Sequence, residues 1–290
     1  MTSIAFAPAA SLPQEEITQA FNLGFTGYYL PMAQTPDGLA QMMRENDVRL
    51  DDSIVLYVNG ALAGVGLLGI REPRGWIAGM GVAPQWRGQG IGAQLLGQLL
   101  SHMVTIGLRC AQLEALEVNT PALALYQRMG FQPMRSLAVY HGPLRLDAFQ
   151  PAGARSERLQ TRAVAPRLAL RHFEAFHSVP PAWQRERATL EHVRGALDAL
   201  GLWNGAQLSA YLLYSRQSGG YAILDGGSSA SEVDARRDDL ARLLRTLCES
   251  APESIIRTIN TPPGDALGDA LGLLGCPVAI RQRELARDLP

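Results

Sequence analysis

The stretch Val82-Ala83-Pro84-Gln85-Trp86-Arg87-Gly88-Gln89-Gly90-Ile91-Gly92-Ala93 stands between an apolar run and a Leu-rich periodic segment. The apolar run stops at Pro84, glycines follow at 88, 90 and 92, and the periodic segment starts at once. That order places bare backbone N–H groups at the N-terminus of a helix, where unpaired amides and the helix dipole favour a phosphate oxyanion. Glycine suits such a turn because a Cβ would block close approach or exclude positive φ. With Arg87 in front the turn fits R-x-x-G-x-G. Alone, this pattern is weak. A dinucleotide-binding turn competes with it, but that turn needs a parallel βαβ unit and an acid about 20 residues on. The segments upstream read instead as antiparallel meanders, and a chain without Lys has no Walker-type P-loop.

Outward from this turn the alternation of elements is regular. Residues 3–7 read as a short strand, and Leu12-Pro13-Gln14-Glu15-Glu16 opens a helix to about Gly24, with Pro and acids in its first turn. Thr35-Pro36-Asp37 starts a second helix through about Asn46. Residues 53–58 and 61–70 form a hairpin across Asn59-Gly60, and 75–82 a third strand. Ile91, Leu95, Leu96, Leu99, Leu100, Met103 and Val104 share one stripe of a helix that ends near Gly107. Strand 110–118, helix 121–129 and strand 131–141 complete the order β-α-α-β-β-β-α-β-α-β, an α/β layer fold with a mixed sheet.

At 290 residues the chain has room for two domains. Pro143, Pro151, Gly153 and Ala154-Arg155-Ser156-Glu157-Arg158 read as a linker, which places the domains at 1–145 and 161–290 with a linker over 146–160. The second half repeats the order: helices near 167–177 and 187–200, strands at 207–214 and 220–224, helix 232–249, strand 254–260, helix 265–274 and strand 277–285. Asn260-Thr261-Pro262 matches Asn119-Thr120-Pro121, and Gly275-Cys276 matches Gly130-Phe131, which points to a diverged repeat about 140 residues apart.

Composition bounds the function. A net charge of −1 gives no field that would draw nucleic acid or an anionic membrane. All 26 basic residues are Arg, as a GC-rich genome would produce. Cys110, Cys248 and Cys276 form no CxxC pair, and the five histidines share no ligand spacing, so neither a disulfide framework nor a metal site is expected. The N-terminal residues lack a charged region followed by a long apolar core, and no apolar run is long enough to span a membrane; a cytoplasmic protein is the default expectation.

A second segment decides between the readings of the glycine turn. Asn119-Thr120-Pro121-Ala122-Leu123-Ala124-Leu125-Tyr126-Gln127-Arg128-Met129-Gly130-Phe131 fits N-x-x-A-x-x-L-Y-x-x-x-G-F. Together with the turn at 82–93 it strongly resembles the Gcn5-related N-acetyltransferase (GNAT) family. The resemblance covers residues 1 to about 142; the second half is similar in element order only. It implies two tandem GNAT-like domains, the first catalytic, using acetyl-CoA as acyl donor and no metal.

The resemblance implies roles residue by residue. The pyrophosphate of the donor would sit on backbone N–H groups of the turn Arg87, Gly88, Gln89, Gly90, Ile91, Gly92 and Ala93, chiefly those of Arg87, Gly88, Gly90 and Gly92. The pantetheine arm would pair with main chain at Met80 and Val82 in a gap between the strand before the turn and the strand at 110–118. A Val82 N–H would stabilise the oxyanion on the thioester carbonyl. Asn119 would touch the donor or fix the splayed strand, or simply cap the following helix. Tyr126, protonated at neutral pH, would give a proton to the departing thiolate. Glu114 is the first candidate for the base. It precedes Tyr126 by the interval of the base in protein N-terminal acetyltransferases that this segment resembles, and it shares a semi-apolar face with Leu116 and Val118. Glu117, on the opposite face, and Glu72, in a strand turn, are the other carboxylates considered.

The resemblance implies a primary amine as acceptor, of unspecified identity, on a small molecule or a protein N-terminus. Residues 23–50 and 71–75 would form its cleft, with Tyr28, Tyr29, Met32, Met42 and Met43 as apolar lining. The second half lacks the glycine spacing, carries Asp225 and Glu232 beside the corresponding turn, and has Leu267 at the tyrosine position if Asn260 is matched to Asn119. A domain that binds no coenzyme is expected there, bracing the first domain or walling its cleft. The alternative for the whole protein is a non-catalytic acyl-CoA-binding regulatory or scaffold protein.

Overall fold

Asn59 and Gly60 both adopt positive φ, +52° and +77°. This two-residue turn matches the right-handed twist of the strands it joins, Ile54–Val58 (β2) and Ala61–Arg71 (β3). The computed structural model describes residues 2–151 and 157–290. They divide into two compact units. Unit 1 comprises 1–134 and 283–290, and unit 2 comprises 135–282. The sequence reading puts the boundary at 145, whereas the units divide after Met134 and again after Gln282. Of the expected linker 146–160, Leu146–Ala148 is a 3₁₀ turn and Leu159–Ala163 begins the next strand; 152–156 lie outside the described residues.

In unit 1, Ile4–Pro8 (β1) pairs antiparallel with β2, β2 with β3, and β3 with Arg74–Val82 (β4). Cys110–Leu116 (β5) joins β4 in parallel. Beyond β5 the next strand is the C-terminal end of Val278–Asp288, and Leu289 N–H donates to Arg109 C=O at 2.9 Å. The helices Gln14–Gly24 (α1) and Pro36–Glu45 (α2) cover one face, with Ile17, Ala20, Phe21, Leu39 and Met43 packed on Val55, Val65 and Leu67. Ile91–Thr105 (α3) and Thr120–Arg128 (α4) cover the other. The predicted stripe of α3 is buried at Ile91, Leu95, Leu96, Leu99, Leu100 and Met103, each worth about 2 kcal/mol of apolar burial. Val104, at its margin, is exposed.

Unit 2 repeats this order. Its sheet runs Gln132–Gly142 (β6), Ile255–Thr261 (β11), Gly220–Ser228 (β10), Gln207–Gln217 (β9), Asp198–Asn204 (β8) and Leu159–Ala163 (β7). The helices Pro166–Arg171, Phe173–Phe176 and Arg187–Val193 precede β8, Val233–Cys248 follows β10, and Ala266–Leu273 follows β11. The expected helix over 187–200 stops at Val193, and 198–204 is strand. Pairing of Leu200 with Leu212 and Leu202 with Ala210 overrides the helical propensity of its Ala and Leu residues.

Candidate active site

β4 and β5 pair only over Arg74–Trp76 against Cys110–Gln112. Beyond that point Ile77–Val82 and Leu113–Leu116 share no ladder, and the sheet opens. A bulge helps to part them: Leu67 faces Gly79 and Leu68 faces Ile77, so Ala78 is the extra residue. One added residue switches the side-chain parity of the strand. A Cβ on Gly75 would meet Leu108 and Met103 on the α3 side, whereas a Cβ on Gly79 would meet Phe21 and Phe25 on the α1 side. After the bulge, Ala83 N–H donates to Ala63 C=O of β3. By strand alternation the main-chain groups of Met80 and Val82 then face the open edge.

The glycine turn closes that end of the gap. Gly88 and Gly90 have φ of +73° and +79°, and Gly90 is the N-cap of α3. Among the described residues, the N–H groups of Gly88, Gln89, Gly90, Ile91 and Gly92 find no acceptor, and α3 has no acid in its first turn. This donor set, at the positive end of a helix, fits a diphosphate. Two of the positions expected to contribute are used internally instead: Arg87 N–H donates to Pro84 C=O at 3.2 Å, and Ala93 N–H to Gly90 C=O at 3.1 Å. The Gln89 side chain turns back to Gln85 C=O.

Glu114 and Tyr126 approach the gap from different elements. Trp76 Nε1 donates to Glu114 Oε2 at 2.7 Å. Tyr126, on α4, is buried against Phe131, ring centroids 5.9 Å apart. Burial, and then the neighbouring Tyr28 phenol, push the Tyr126 hydroxyl well above the ordinary tyrosine range. Asn119 Oδ1 accepts from Ala122 N–H at 3.3 Å and caps α4. The Tyr28 phenol meets the Asn119 side chain and Leu116 main chain; its pKa is raised by burial, which these two contacts oppose. Tyr28, Asn119 and Tyr126 thus meet at the end of β5. Glu117 instead forms an ion pair with Arg283 at 3.0 Å, and Glu72 lies in the β3–β4 turn, at the end of β4 where β5 is still paired. Neither belongs to the open gap.

Next to the gap, the segment between α1 and α2 forms a groove of about 510 Å³, lined by Phe25, Tyr28, Tyr29, Leu30, Pro31 and Met32 among others. Tyr28, Tyr29 and Met32 line it as the sequence suggests, whereas Met43 is core beneath α2 and Met42 packs against the same cluster. The Arg87 guanidinium donates to the Val82, Gly24 and Thr26 carbonyls at 2.8, 3.0 and 2.7 Å. Sequence reasoning missed the bonds to Gly24 and Thr26, and the Trp76–Glu114 bond, because those partners lie 38 to 63 residues apart and no local pattern signals them.

Unit 2 has the counterpart of the gap, filled. β10 and β11 pair only over Gly220–Ala222 against Ile255–Arg257, and β10 bulges at Leu224. The fully buried Asp225 accepts from Tyr211 Oη at 2.8 Å, His177 Nε2 at 3.0 Å and Arg185 Nη2 at 3.4 Å. Arg185 also reaches Asp265 Oδ2 at 2.8 Å and Leu224 C=O at 3.3 Å. The start of the turn after β10 is tied to its own chain: Ser229 N–H donates to Ser209 C=O, Ala230 N–H to Ser228 Oγ, and Arg236 donates to the Ala230 and Ser231 carbonyls. The helix ends align Tyr126 with Leu271 rather than Leu267, because Phe131 N–H donates to Tyr126 C=O as Cys276 N–H does to Leu271 C=O. The hydroxyl is absent on either alignment.

Residues 16–131 match the model of the acetyltransferase (GNAT) family. The N-alpha-acetyltransferase MAK3 of Arabidopsis thaliana is 40% identical over 78 residues, 27% of this chain and 40% of that protein. A mycothiol acetyltransferase of Thermobifida fusca is 38% identical over 69 residues, 24% of this chain and 21% of that protein. The chain therefore spans well under half the length of these curated relatives. A tandem GNAT protein from the clavulanic acid biosynthesis pathway superposes with a TM-score of 0.68 at 15% identity, over 99% of this chain and 98% of that one. The parted sheet, the glycine turn and these likenesses agree: residues 16–131 carry the sequence of the acetyltransferase (GNAT) family, and the chain as a whole is similar in fold to a tandem GNAT protein.

Proposed function

We propose that unit 1 transfers an acetyl group from acetyl-CoA to a primary amine. The observation that carries this reading is the gap between β4 and β5, which has free amides at one end and Glu114 and Tyr126 at its sides. The N–H groups of Gly88 to Gly92 hold the diphosphate, and the main chain of Met80 and Val82 aligns the pantetheine arm as an added strand. Val82 N–H stabilises negative charge on the thioester oxygen. Glu114 takes the proton from the incoming ammonium, directly or through water, and the freed amine attacks. As the C–N bond forms and the C–S bond breaks, Tyr126 gives its proton to the thiolate and regains one from the acylated nitrogen, which becomes a neutral amide; burial keeps that phenol protonated at neutral pH.

The groove of Phe25, Tyr28 and Tyr29 suits an acceptor with an apolar body behind the amine, and a protein N-terminus or a small molecule both meet that description. The N-alpha-acetyltransferase relative supports the choice of an amine acceptor. Unit 2 binds no coenzyme on this reading, since the buried network of Arg185, Asp225 and Asp265 occupies the equivalent gap and the turn lacks the glycine spacing. The test is calorimetry with coenzyme A, followed by thiol release from acetyl-CoA across a panel of primary amines and peptide N-termini. Coenzyme binding with amine-dependent release supports the proposal. Binding without amine-dependent release from any acceptor would leave a non-catalytic acyl-CoA-binding protein.

A further inference from the structure

We propose that Arg87 is a positioning residue that ties the groove-lining segment 25–33 to the glycine turn, so that filling the turn orders the groove. The inference rests on the acetyl-transfer reading of the turn and the groove, and adds a link between them.

The geometry is specific. Arg87 spends its guanidinium on three main-chain carbonyls: Val82 at the end of β4, Gly24 at the end of α1, and Thr26 at the start of the groove segment. A guanidinium offers several donors in one rigid plane, so one side chain can hold three strands of backbone in register where an ammonium would act as a single point. The last α1 carbonyls lack intrahelical partners, and a cation at a helix C-terminus is favoured by the dipole. Arg87 therefore acts as a C-terminal cap for a helix that is distant in sequence.

The backbones beneath this contact are pressed together. A Cβ on Gly24 would come within 2.8 Å of the Gly81 carbonyl carbon, and a Cβ on Gly81 within 2.6 Å of Gly24 O. Only a pair of glycines lets α1 end directly on β4, within reach of Arg87. The far end of the segment is held separately, by Asn22 exchanging hydrogen bonds with the Gln34 main chain at 2.8 and 3.0 Å. The middle is held by Tyr28 on Asn119 and Leu116. Arg87 is the attachment that belongs to the turn itself. Its backbone N–H closes on Pro84, and the amides awaiting an anion begin at the very next residue. An anion that fixes residues 88–92 also fixes the base of the Arg87 side chain, and through it the Gly24 and Thr26 carbonyls.

The test is amide hydrogen exchange of residues 24–33 with and without coenzyme A, alongside calorimetric affinity for coenzyme A, in wild type, Arg87→Gln and Arg87→Lys. In wild type, coenzyme A slows exchange in 24–33. In Arg87→Gln, exchange there is about tenfold faster and no longer responds to coenzyme A, while the coenzyme Kd changes by less than about threefold because the grip uses main chain. Arg87→Lys, with one point donor in place of the fork, lies between. Gly24→Ala, with Arg87 intact, reproduces the faster exchange by prying α1 off β4. A Kd that rises more than about tenfold with exchange in 24–33 unchanged would make the side chain a phosphate ligand and overturn the proposal, as would unfolding of Arg87→Lys, which would make Arg87 an anchor of the whole fold. Failure of wild type to bind coenzyme A refutes the transfer reading instead, a result separable from either.

Discussion

Trp76 Nε1 donates to Glu114 Oε2 at 2.7 Å, across the last rung before β4 and β5 part. The indole is nearly fully buried, so the bond sits in a dry wall of the gap and holds one carboxylate oxygen in place. Glu114→Gln should lower kcat by about a hundredfold or more, as expected for loss of a general base. Trp76→Phe keeps the ring packing but removes the indole's hydrogen bond to the carboxylate. It should lower kcat about tenfold with the KM for acetyl-CoA within about twofold, since positioning rather than donor binding is lost. Steady-state kinetics at saturating acetyl-CoA separate the two effects.

Tyr126→Phe removes the proton donor and leaves the ring against Phe131. A kcat lower by about a hundredfold, with an unchanged melting temperature, is the expected result. Since burial raises the phenol above its ordinary value of 10, the wild-type rate should show no loss from phenol ionisation as pH rises to about 9.5. A falling limb near neutral pH that disappears in Tyr126→Phe would contradict that assignment.

Unit 1 was legible where local chemistry fixes geometry. Asn59-Gly60 dictates its hairpin turn, the Leu stripe its helix, and the glycines at 88 and 90 their positive φ. The return of residues 283–290 to unit 1 was not, because their alternating pattern reads the same whichever sheet they join. In unit 2, strand β8 was hidden behind helix-favouring Ala and Leu residues, and β7 behind a stretch that looked like linker; both form through pairing with distant partners. At the site, the residue types were readable, but their partners were not. The charged network of His177, Arg185, Asp225 and Asp265 spans 88 residues of sequence and has no signature in any one segment.

Gly90 holds φ at +79° with open space around it, so Gly90→Ala meets no clash and tests backbone conformation alone. A left-handed conformation costs an L-residue about 1–2 kcal/mol. If the turn relaxes to avoid that cost, the amides lose their common target. Coenzyme A affinity measured by calorimetry should then fall about tenfold, the equivalent of 1.4 kcal/mol. An affinity unchanged by this substitution would mean that the turn's conformation does not set the grip.

In unit 2 the buried charges should govern stability. Arg185→Met leaves Asp225 and Asp265 without their guanidinium and should cost about 3–5 kcal/mol, seen as a lower melting temperature. His177 adds a pH dependence whose sign follows from its environment. Burial alone would lower its pKa, but the charge and hydrogen bond of Asp225, with the Phe173 carbonyl, lift it from 6.5 to about 9. The folded state thus holds a proton more tightly than the unfolded chain. Its contribution is full below about pH 6.5 and is lost as pH rises through about 9. At about 1.4 kcal/mol per unit, the whole effect is about 3 kcal/mol. Melting temperature should fall between about pH 6 and pH 9.5 in wild type. His177→Gln should be less stable than wild type at the lower pH and show a flatter slope, because no imidazolium remains to titrate. Equal slopes in the two proteins would show that His177 does not carry the proton in the folded state.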